Sequence, residues 1–499
     1  MTPRGAADAR GETTWDADVV IVGTGPGGAA AGRVLAERGL SVLLLEEGPP
    51  TPRFRPNLGD TQRHHMQEGG TMVARGAQFI PIAAGRGVGG GSLINSAICF
   101  RTPDAVLEKW TAALGGDDRY APARLAPVFD EIEALIGVGV TRDAVAGENN
   151  RLIVRGAAAL GLPGGLVRRN APGCVGCGIC NYGCPSGGKA SVDRNLLPMA
   201  VAAGAQIQAD VKVDAIQVAD GAVRGVAGDV IDPDTRAVVG RLTVRAPRVV
   251  LAAGGIGTPR LLHHAGLAAR LGPAVGQGLH IHPGNAIVGE CDHDVRMWTG
   301  ATQGAYFEHP DLPGVLPHTF NAPPETLLLL LGEVGMDAKA AMRRLPKLGG
   351  CVVMISDEGG GTVGATRDGR ADLTYTFADR DVARIKAGMV ETARVMLTGG
   401  ARRVTAPVHR IGWHSTPASL AAALADKVIR DFTLYASHPM ASCRMGADPR
   451  TSVIGPSGEA HTVAGLYLAD SSVFPTSLGV NPQLTTMTLA TAIARGMAI

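Results

Sequence analysis

The chain has 499 residues, enough for roughly two to four domain-sized units, with 45% hydrophobic and 18% charged residues. Its 47 Lys and Arg against 45 Asp and Glu leave a formal charge of +2, so no basic face argues for nucleic acid or an anionic membrane. The 69 glycines and 32 prolines describe a turn-rich globular protein with ample apolar content for a large core.

Residues 1–18, MTPRGAADARGETTWDAD, lack the apolar stretch of a secretory signal. The longest aliphatic run, Leu327 to Leu331, is far below the ~20 residues of a membrane-spanning helix. A cytoplasmic protein that does not span a membrane is expected, although a folded subunit can be exported with a partner that carries the signal.

Ala17 to Val22 is a short apolar run of strand type, followed at once by Gly23-Thr24-Gly25-Pro26-Gly27-Gly28. AAAGRVLAERG then predicts a helix closed by Gly39, and Ser41 to Leu45 a buried strand ending in Glu46. This is G-x-G-x-x-G between strand and helix, with an acid 23 residues after Gly23. Gly23 permits the tight turn, Gly25 lets backbone approach a pyrophosphate, and Gly28 lets helix and strand pack closely. The helix N-terminus offers N–H groups and partial positive charge to phosphates, and Glu46 is expected to accept from ribose hydroxyls. The motif does not separate FAD from NAD.

Gly85 to Pro103, GRGVGGGSLINSAICFRTP, is a second glycine-dense loop, suited to backbone passing close to something flat or phosphorylated. Cys174, Cys177, Cys180 and Cys184 follow in GCVGCGICNYGCP, spaced C-x2-C-x2-C-x3-C-P like the bacterial ferredoxin run. Only one such run exists. Cys184 therefore joins an unusual four-ligand loop or drops out to leave a three-cysteine site suited to [3Fe–4S]; otherwise a remote thiolate such as Cys99 or Cys443 completes [4Fe–4S]. Free or structural thiols are a second reading, and zinc or disulfides a third.

Pro247 to Gly266, PRVVLAAGGIGTPRLLHHAG, gives strand, small-residue turn and helix. Before it, VKVDAI from Val211 is strand-like. His280 and His282 form H-x-H, for which packing is favoured over metal binding. Between about Cys291 and Ile429 the pattern changes. Five consecutive leucines occur, and strands on either side of Asp368-Gly369 predict a hairpin. Val382, Ile385, Met389, Ala393 and Met396 form one helical stripe, expected in the core. Glu358 is a weak candidate for a second acid/base. Tyr435 to Gly446, YASHPMASCRMG, precedes a strand ending in Asp470 and a C-terminal helix opened by Asn481-Pro482.

From about Asp16 to the C-terminus the sequence resembles the glucose–methanol–choline (GMC) flavoprotein oxidoreductases. GRGVGGGSLIN, VLAAGGIGTPRLL, and H-P-x-x-x-C-R-M-G with G-V-N-P carry the resemblance. Within the family the GVNP ending is similar to cholesterol and long-chain alcohol oxidases and to iron–sulfur-containing sugar and alcohol dehydrogenases. The resemblance implies an α/β fold: a Rossmann-type FAD-binding domain with an α+β substrate domain built on an antiparallel sheet. The FAD domain is expected to be discontinuous, over 16–100, 190–290 and 436–499. Residues 101–189 would form an intervening segment holding the 173–185 cysteine loop, and 291–435 the substrate domain.

The resemblance also implies a cofactor, FAD, held by Gly23, Gly25, Gly28, Glu46, Arg86, Gly89, Gly90, Ser92, Asn95, Val213, Ala253 and Asp470. The position of a covalent-linkage histidine is Ile94, so noncovalent FAD is expected. His438 and Asn481 match the catalytic pair: a histidine can take the hydroxyl proton near neutral pH, and an asparagine can orient the oxygen without adding charge.

The expected reaction is oxidation of a small-molecule alcohol, with a slight lean towards an apolar one. Electrons would leave through an iron–sulfur cluster to a protein or quinone acceptor. The alternatives are an oxygen-using alcohol or sterol oxidase that makes hydrogen peroxide, and a non-redox FAD-containing lyase.

Overall fold

The computed structural model describes residues 1–50, 54 and 57–498; the other positions inside the expected ranges 16–100 and 436–499 lie outside the described residues. A five-stranded parallel sheet runs in the order Leu466–Leu468, Val249–Leu251, Val19–Val22, Val42–Leu45, Gln206–Gln208. Every residue of its three central strands is buried, which explains their unbroken apolar sequence. Strands far apart in the chain thus meet edge to edge with their C-terminal ends on one side, the side on which open α/β sheets bind ligands.

The helix Pro26–Glu37 follows the strand Val19–Val22 directly and is buried along Gly27–Ala36. The C-terminal helix Gln483–Gly496 packs against it and is itself buried from Gln483 to Thr491. A four-stranded sheet, Gly11–Asp16, Val238–Arg245, Ala222–Ile231 and Val211–Ala219, flanks this unit, and a bulge interrupts its ladder between Val213 and Ala215.

The second large unit is an antiparallel six-stranded sheet in the order Ala401–Thr405, Gly284–Cys291, Leu348–Ile355, Val315–Thr319, Ala305–Phe307, Gly164–Leu166. Helix Asp379–Thr398 lies on it and buries Ile385, Met389, Ala393 and Met396, four of the five stripe residues. The Asp368-Gly369 hairpin is present, joining Gly360–Ala365 to Ala371–Thr376. It belongs, however, to a separate five-stranded sheet with Gln277–Leu279, Val73–Arg75 and Ile80–Pro81. Segments from both ends of the expected division are therefore interleaved, and the strand Gly164–Leu166 reaches the large antiparallel sheet from the intervening segment.

No helix among the described residues is long and apolar enough to cross a membrane. The five leucines lie in the helix Pro324–Leu331, and only Leu327 among them is fully buried. Core packing therefore does not account for the run.

Candidate functional site

The cradle for a dinucleotide forms where the first strand turns into helix Pro26–Glu37. That helix starts with no side-chain cap and no acid in its first turn, leaving its first N–H groups and positive dipole end for an anion. A Cβ on Gly28 would stand 1.9 Å from the Gly23 carbonyl oxygen, so only glycine lets helix and turn meet this closely. A Cβ on Gly25 would meet only Gly90, at 3.8 Å, and one on Gly91 nothing within 4 Å. This open space beside an uncapped helix fits a pyrophosphate and a flat ring.

Glu46 fastens the two glycine loops together. Its carboxylate accepts from Thr24 N (3.1 Å) and Thr24 Oγ1 (2.7 Å), and from Gly48 N and Gly87 N (both 3.0 Å). Burial pushes this carboxyl up, against those hydrogen bonds. The acid expected to reach a ribose is thus already engaged by four protein donors. Arg86 is buried, gives Nη2 to the Glu47 carbonyl at 3.2 Å, and has no partner on Nε. Gly89 lends its carbonyl to Ser92 Oγ at 2.7 Å, and Ser92 Oγ accepts from Val192 N at 3.1 Å, which ties the loop to the chain after the cysteines.

Asp470 accepts from Gly254 N (2.8 Å), Thr258 Oγ1 (2.5 Å) and Ser472 N (2.7 Å), holding the start of helix Gly254–His264 against the chain after the last parallel strand. Burial raises its carboxyl. Ala253 caps that helix and gives its N–H to Thr258 Oγ1 at 3.2 Å. Asn95 donates to Gln483 Oε1 at 2.7 Å, and Gln483 Nε2 reaches the Ile98 carbonyl at 2.9 Å. Gln483 was not singled out in the sequence; its place two residues after Asn481, at the head of the last helix, was the available signal.

His438 and Asn481, 43 residues apart in sequence, meet at 3.2 Å between His438 Nε2 and the Asn481 side-chain nitrogen. Behind them stands His282, with its Nδ1 3.4 Å from His438 Nδ1. Gly479 N–H donates to Nε2 of His282 at 2.9 Å, which fixes that neutral ring's proton on Nδ1. His438 then accepts at Nδ1 and carries its own proton on Nε2. Two donors cannot face each other, and Oδ1 of Asn481 is buried without a partner. Exchanging the two ends of the amide satisfies both, with Nε2–H donating to Oδ1. His282 also sits at φ +49, a left-handed backbone that non-glycine residues rarely adopt.

Burial holds His438 well below the ordinary histidine value, with His282 and His318 pressing the same way and Asp357 opposing. Burial likewise lowers His282 and His318 to about 4. All three rings are therefore neutral at pH 7. His318 lies on the antiparallel sheet, with Nδ1 3.2 Å from the Leu316 carbonyl and Nε2 3.1 Å from Gln303 Nε2. Asp357 is buried and accepts from Ile281 N (2.9 Å), Tyr375 hydroxyl (2.6 Å) and Ser477 hydroxyl (2.7 Å). Burial alone raises it, but His280, His282 and the Tyr375 hydroxyl outweigh that and hold it ionised.

The weak candidate beside Asp357, Glu358, turns outward and pairs with Arg380 and Arg384 at 3.3 and 2.8 Å. His280 and His282 share no metal: the first faces Asp357 at 3.5 Å and the second His438.

A folded state that keeps these rings neutral binds fewer protons than the unfolded chain below pH 6.5. Their contribution to stability is thus present above 6.5 and is lost as pH falls towards about 4. The expected result is a thermal midpoint that declines steeply between pH 6.5 and 4. A midpoint unchanged across that window would contradict the buried neutral rings.

All eight cysteines are free thiols. Cys174, Cys177, Cys180 and Cys184 border one small cavity with Ser186 and Lys189. Arg169 and Lys189, both buried, supply charge there. Arg169 Nη2 stands 3.2 Å from Cys180 Sγ, and Lys189 N donates to Cys184 Sγ at 3.2 Å. Burial pushes the Cys180 thiol up, yet Arg169 and Lys189 outweigh it and hold it below its ordinary value. Lys189 Nζ also donates to the Leu93 (2.9 Å) and Asn95 (2.8 Å) carbonyls, joining this loop to the second glycine loop.

Cation and N–H donors of this kind suit an anionic sulfur centre. Among the described residues no three His, Cys, Asp or Glu side chains stand close enough to hold one metal ion, as a zinc site would need. The remote candidates also lie elsewhere, Cys99 against Gln483 and Cys443 under Ser472.

Comparison with known proteins agrees with the geometry. A family model described as GMC oxidoreductase matches residues 64–284 with its N-terminal part and 362–490 with its C-terminal part, and one for an FAD binding domain matches 16–70. An uncharacterized GMC-type oxidoreductase of Mycobacterium tuberculosis is 34% identical over 484 residues, 96% of this chain and 75% of that protein. A long-chain-alcohol oxidase of Arabidopsis thaliana is 29% identical, covering 96% of this chain and 68% of the relative. A cholesterol oxidase of Acinetobacter baumannii is 21% identical over 95% and 93%. Among solved structures, pyridoxine 4-oxidase from Mesorbium loti superposes with a TM-score of 0.71 at 19% identity, covering 96% of this chain and 98% of that one.

Proposed function

This chain belongs to the GMC oxidoreductase family and binds FAD, and from that premise we propose that it oxidises a CH–OH group to a carbonyl, with His438 and Asn481 at the hydroxyl. FAD, when bound, supplies the hydride acceptor. Gly23, Gly25, Gly28, Arg86, Gly89, Gly90, Ser92, Asn95, Val213, Ala253 and Asp470 would hold it noncovalently, with Glu46 setting the two glycine loops rather than reaching the ribose.

The observation that carries the reading is the partly buried His438, held neutral by desolvation, facing Asn481 with His282 behind. At rest Nε2–H of His438 donates to the Asn481 oxygen, and the substrate oxygen takes over that bond. To accept the hydroxyl proton at Nε2, His438 must move its own proton to Nδ1, and His282 must turn acceptor and release Gly479. Asp357, ionised nearby, favours the positive charge that His438 then gains. Desolvation keeps this base unprotonated at rest, and Asp357 offsets part of the base strength that desolvation removes. Anaerobic reduction by an alcohol should keep its rate as pH falls past 6.5, with the acid limb lying below that value. A limb centred at or above 6.5 in stopped-flow would show a solvent-exposed histidine at work instead.

For the electrons, release to dioxygen is the favoured reading, supported by relatives named as long-chain-alcohol oxidase and cholesterol oxidase. These names also support an apolar alcohol. A second reading, exit through a sulfur-ligated iron centre at Cys174, Cys177, Cys180 and Cys184, rests on Arg169 and Lys189, whose buried charge faces thiols. Protein purified anaerobically and assayed for iron, acid-labile sulfide and hydrogen peroxide separates the two. Stoichiometric peroxide without iron is expected; iron and sulfide in excess of one atom each per chain would reverse the choice.

A further inference from the structure

The five-leucine segment is a motif that the core absorbs only in part, through Leu327 and Leu331. It forms the first arm of a hairpin, Pro324–Leu331, joined through Gly332 and Gly335, both at positive φ, to the helix Gly335–Arg344. The hairpin has a fixed inner side: Leu327 and Leu345 are buried with Val288, Met297 and Leu348, Leu331 packs against them, and Ala341 is also buried. Arg344, at the end of the second arm, pairs with Glu333 in the turn at 2.8 Å. The other side is bare. Leu329 is 81% exposed, Val334 79%, Met336 76% and Met342 58%. Among the described residues, four of the twelve exposed large apolar side chains fall between positions 329 and 342, whereas the rest are scattered.

The charges around this tip are ordered. Glu325 and Asp337 lie in the first turns of their helices, where the helix dipole compensates them. Lys339 and Arg343 are exposed on the second arm and have no acidic partner among the described ion pairs; Arg343 and Arg344 close its last turn. An apolar tip flanked by uncompensated cations is the pattern of a segment that lies in the headgroup boundary of a bilayer. A second copy of the chain is a poorer occupant, because a two-fold contact would set Lys339 and Arg343 of both copies against each other.

We propose that the 324–344 hairpin docks the protein onto an anionic lipid surface, its four exposed apolar side chains entering the acyl boundary while Lys339 and Arg343 meet phosphate groups. Thr326, at the root of the hairpin, neighbours Tyr182 of the cysteine loop, which Lys189 ties to the second glycine loop.

The test uses the FAD-loaded chain and vesicles of phosphatidylcholine with or without one quarter phosphatidylglycerol, read by co-sedimentation. Binding to the anionic vesicles is expected to fall at least tenfold in the Leu329→Ser, Met336→Ser double variant. A smaller loss is expected when phosphatidylglycerol is omitted, and none in Val238→Ser, which is exposed elsewhere. Tryptophan emission from Met336→Trp should shift to the blue on vesicle addition. The proposal is overturned if the parent protein does not sediment with vesicles, if the double variant binds as well as the parent, or if light scattering shows a dimer that the double variant dissolves. None of these readouts depends on turnover, so a failed alcohol assay leaves them intact.

Discussion

Replacing His438 with glutamine is expected to leave a folded, flavin-coloured protein whose anaerobic reduction by an alcohol is slower by about 10²–10⁴-fold. Glutamine keeps a hydrogen-bonding group near Asn481 but cannot take up a proton. The substrate should still bind, so the loss should fall mainly on the rate of reduction rather than on half-saturation. His438 touches neither glycine loop through any hydrogen bond of its side chain, whose partners are His282 and Asn481. Flavin content should therefore match the parent. Full activity in this variant would remove the proposed chemistry altogether, whereas loss of flavin would mean that the side chain supports the cofactor instead.

Gly28→Ala should act at the other end of the site and with comparable severity. The added Cβ would lie 1.9 Å from the Gly23 oxygen and 3.0 Å from its carbon, both backbone atoms of the turn proposed to hold the pyrophosphate. Neither can yield cheaply, so the helix N-terminus must move away from the strand. Overpacking of this kind costs about 1–3 kcal/mol, and the displaced N–H groups lose their aim at the phosphates. At least a tenfold fall in flavin absorbance per chain is expected, with a lower thermal midpoint. Gly32→Ala, on the same helix, is the control. Its Cβ would meet the end of the Leu44 side chain at 3.1 Å, which can give way, and it should retain its flavin. Equal flavin content in the two variants would show that helix Pro26–Glu37 does not end at the cofactor.

Some of this was legible because the information is local. Gly23, Gly25 and Gly28 lie within six residues, between an apolar run and a helix, and the turn they require depends on little else. The hairpin at Asp368-Gly369 and the stripe from Ile385 to Met396 are local in the same sense: turn chemistry and a 3.6-residue period act over one element. The identities of His438 and Asn481 were marked by short motifs around each of them.

What surrounds them was decided by the tertiary structure. Asp357 and Glu358 are adjacent in sequence and nearly alike chemically, yet one enters the core and the other pairs with arginines on the surface. Both lie in the bend between the strands Leu348–Ile355 and Gly360–Ala365, and hydrogen bonds from Tyr375 and Ser477 select which carboxylate is buried. His282 gains its partner from Gly479, 197 residues away, so no pattern within its own element could show it. Cysteine spacing set the order of four thiols along the chain, but their separation in space followed from a loop pinned by Arg169 and Lys189. The leucine run makes the same point in reverse, because hydrophobicity along a chain does not say whether a neighbour will cover it. Sequence by itself thus marked the elements and the side chains proposed to react. Burial, protonation and exposure were fixed only by contacts between residues remote in the chain, since those contacts set the local dielectric and the available hydrogen-bond partners.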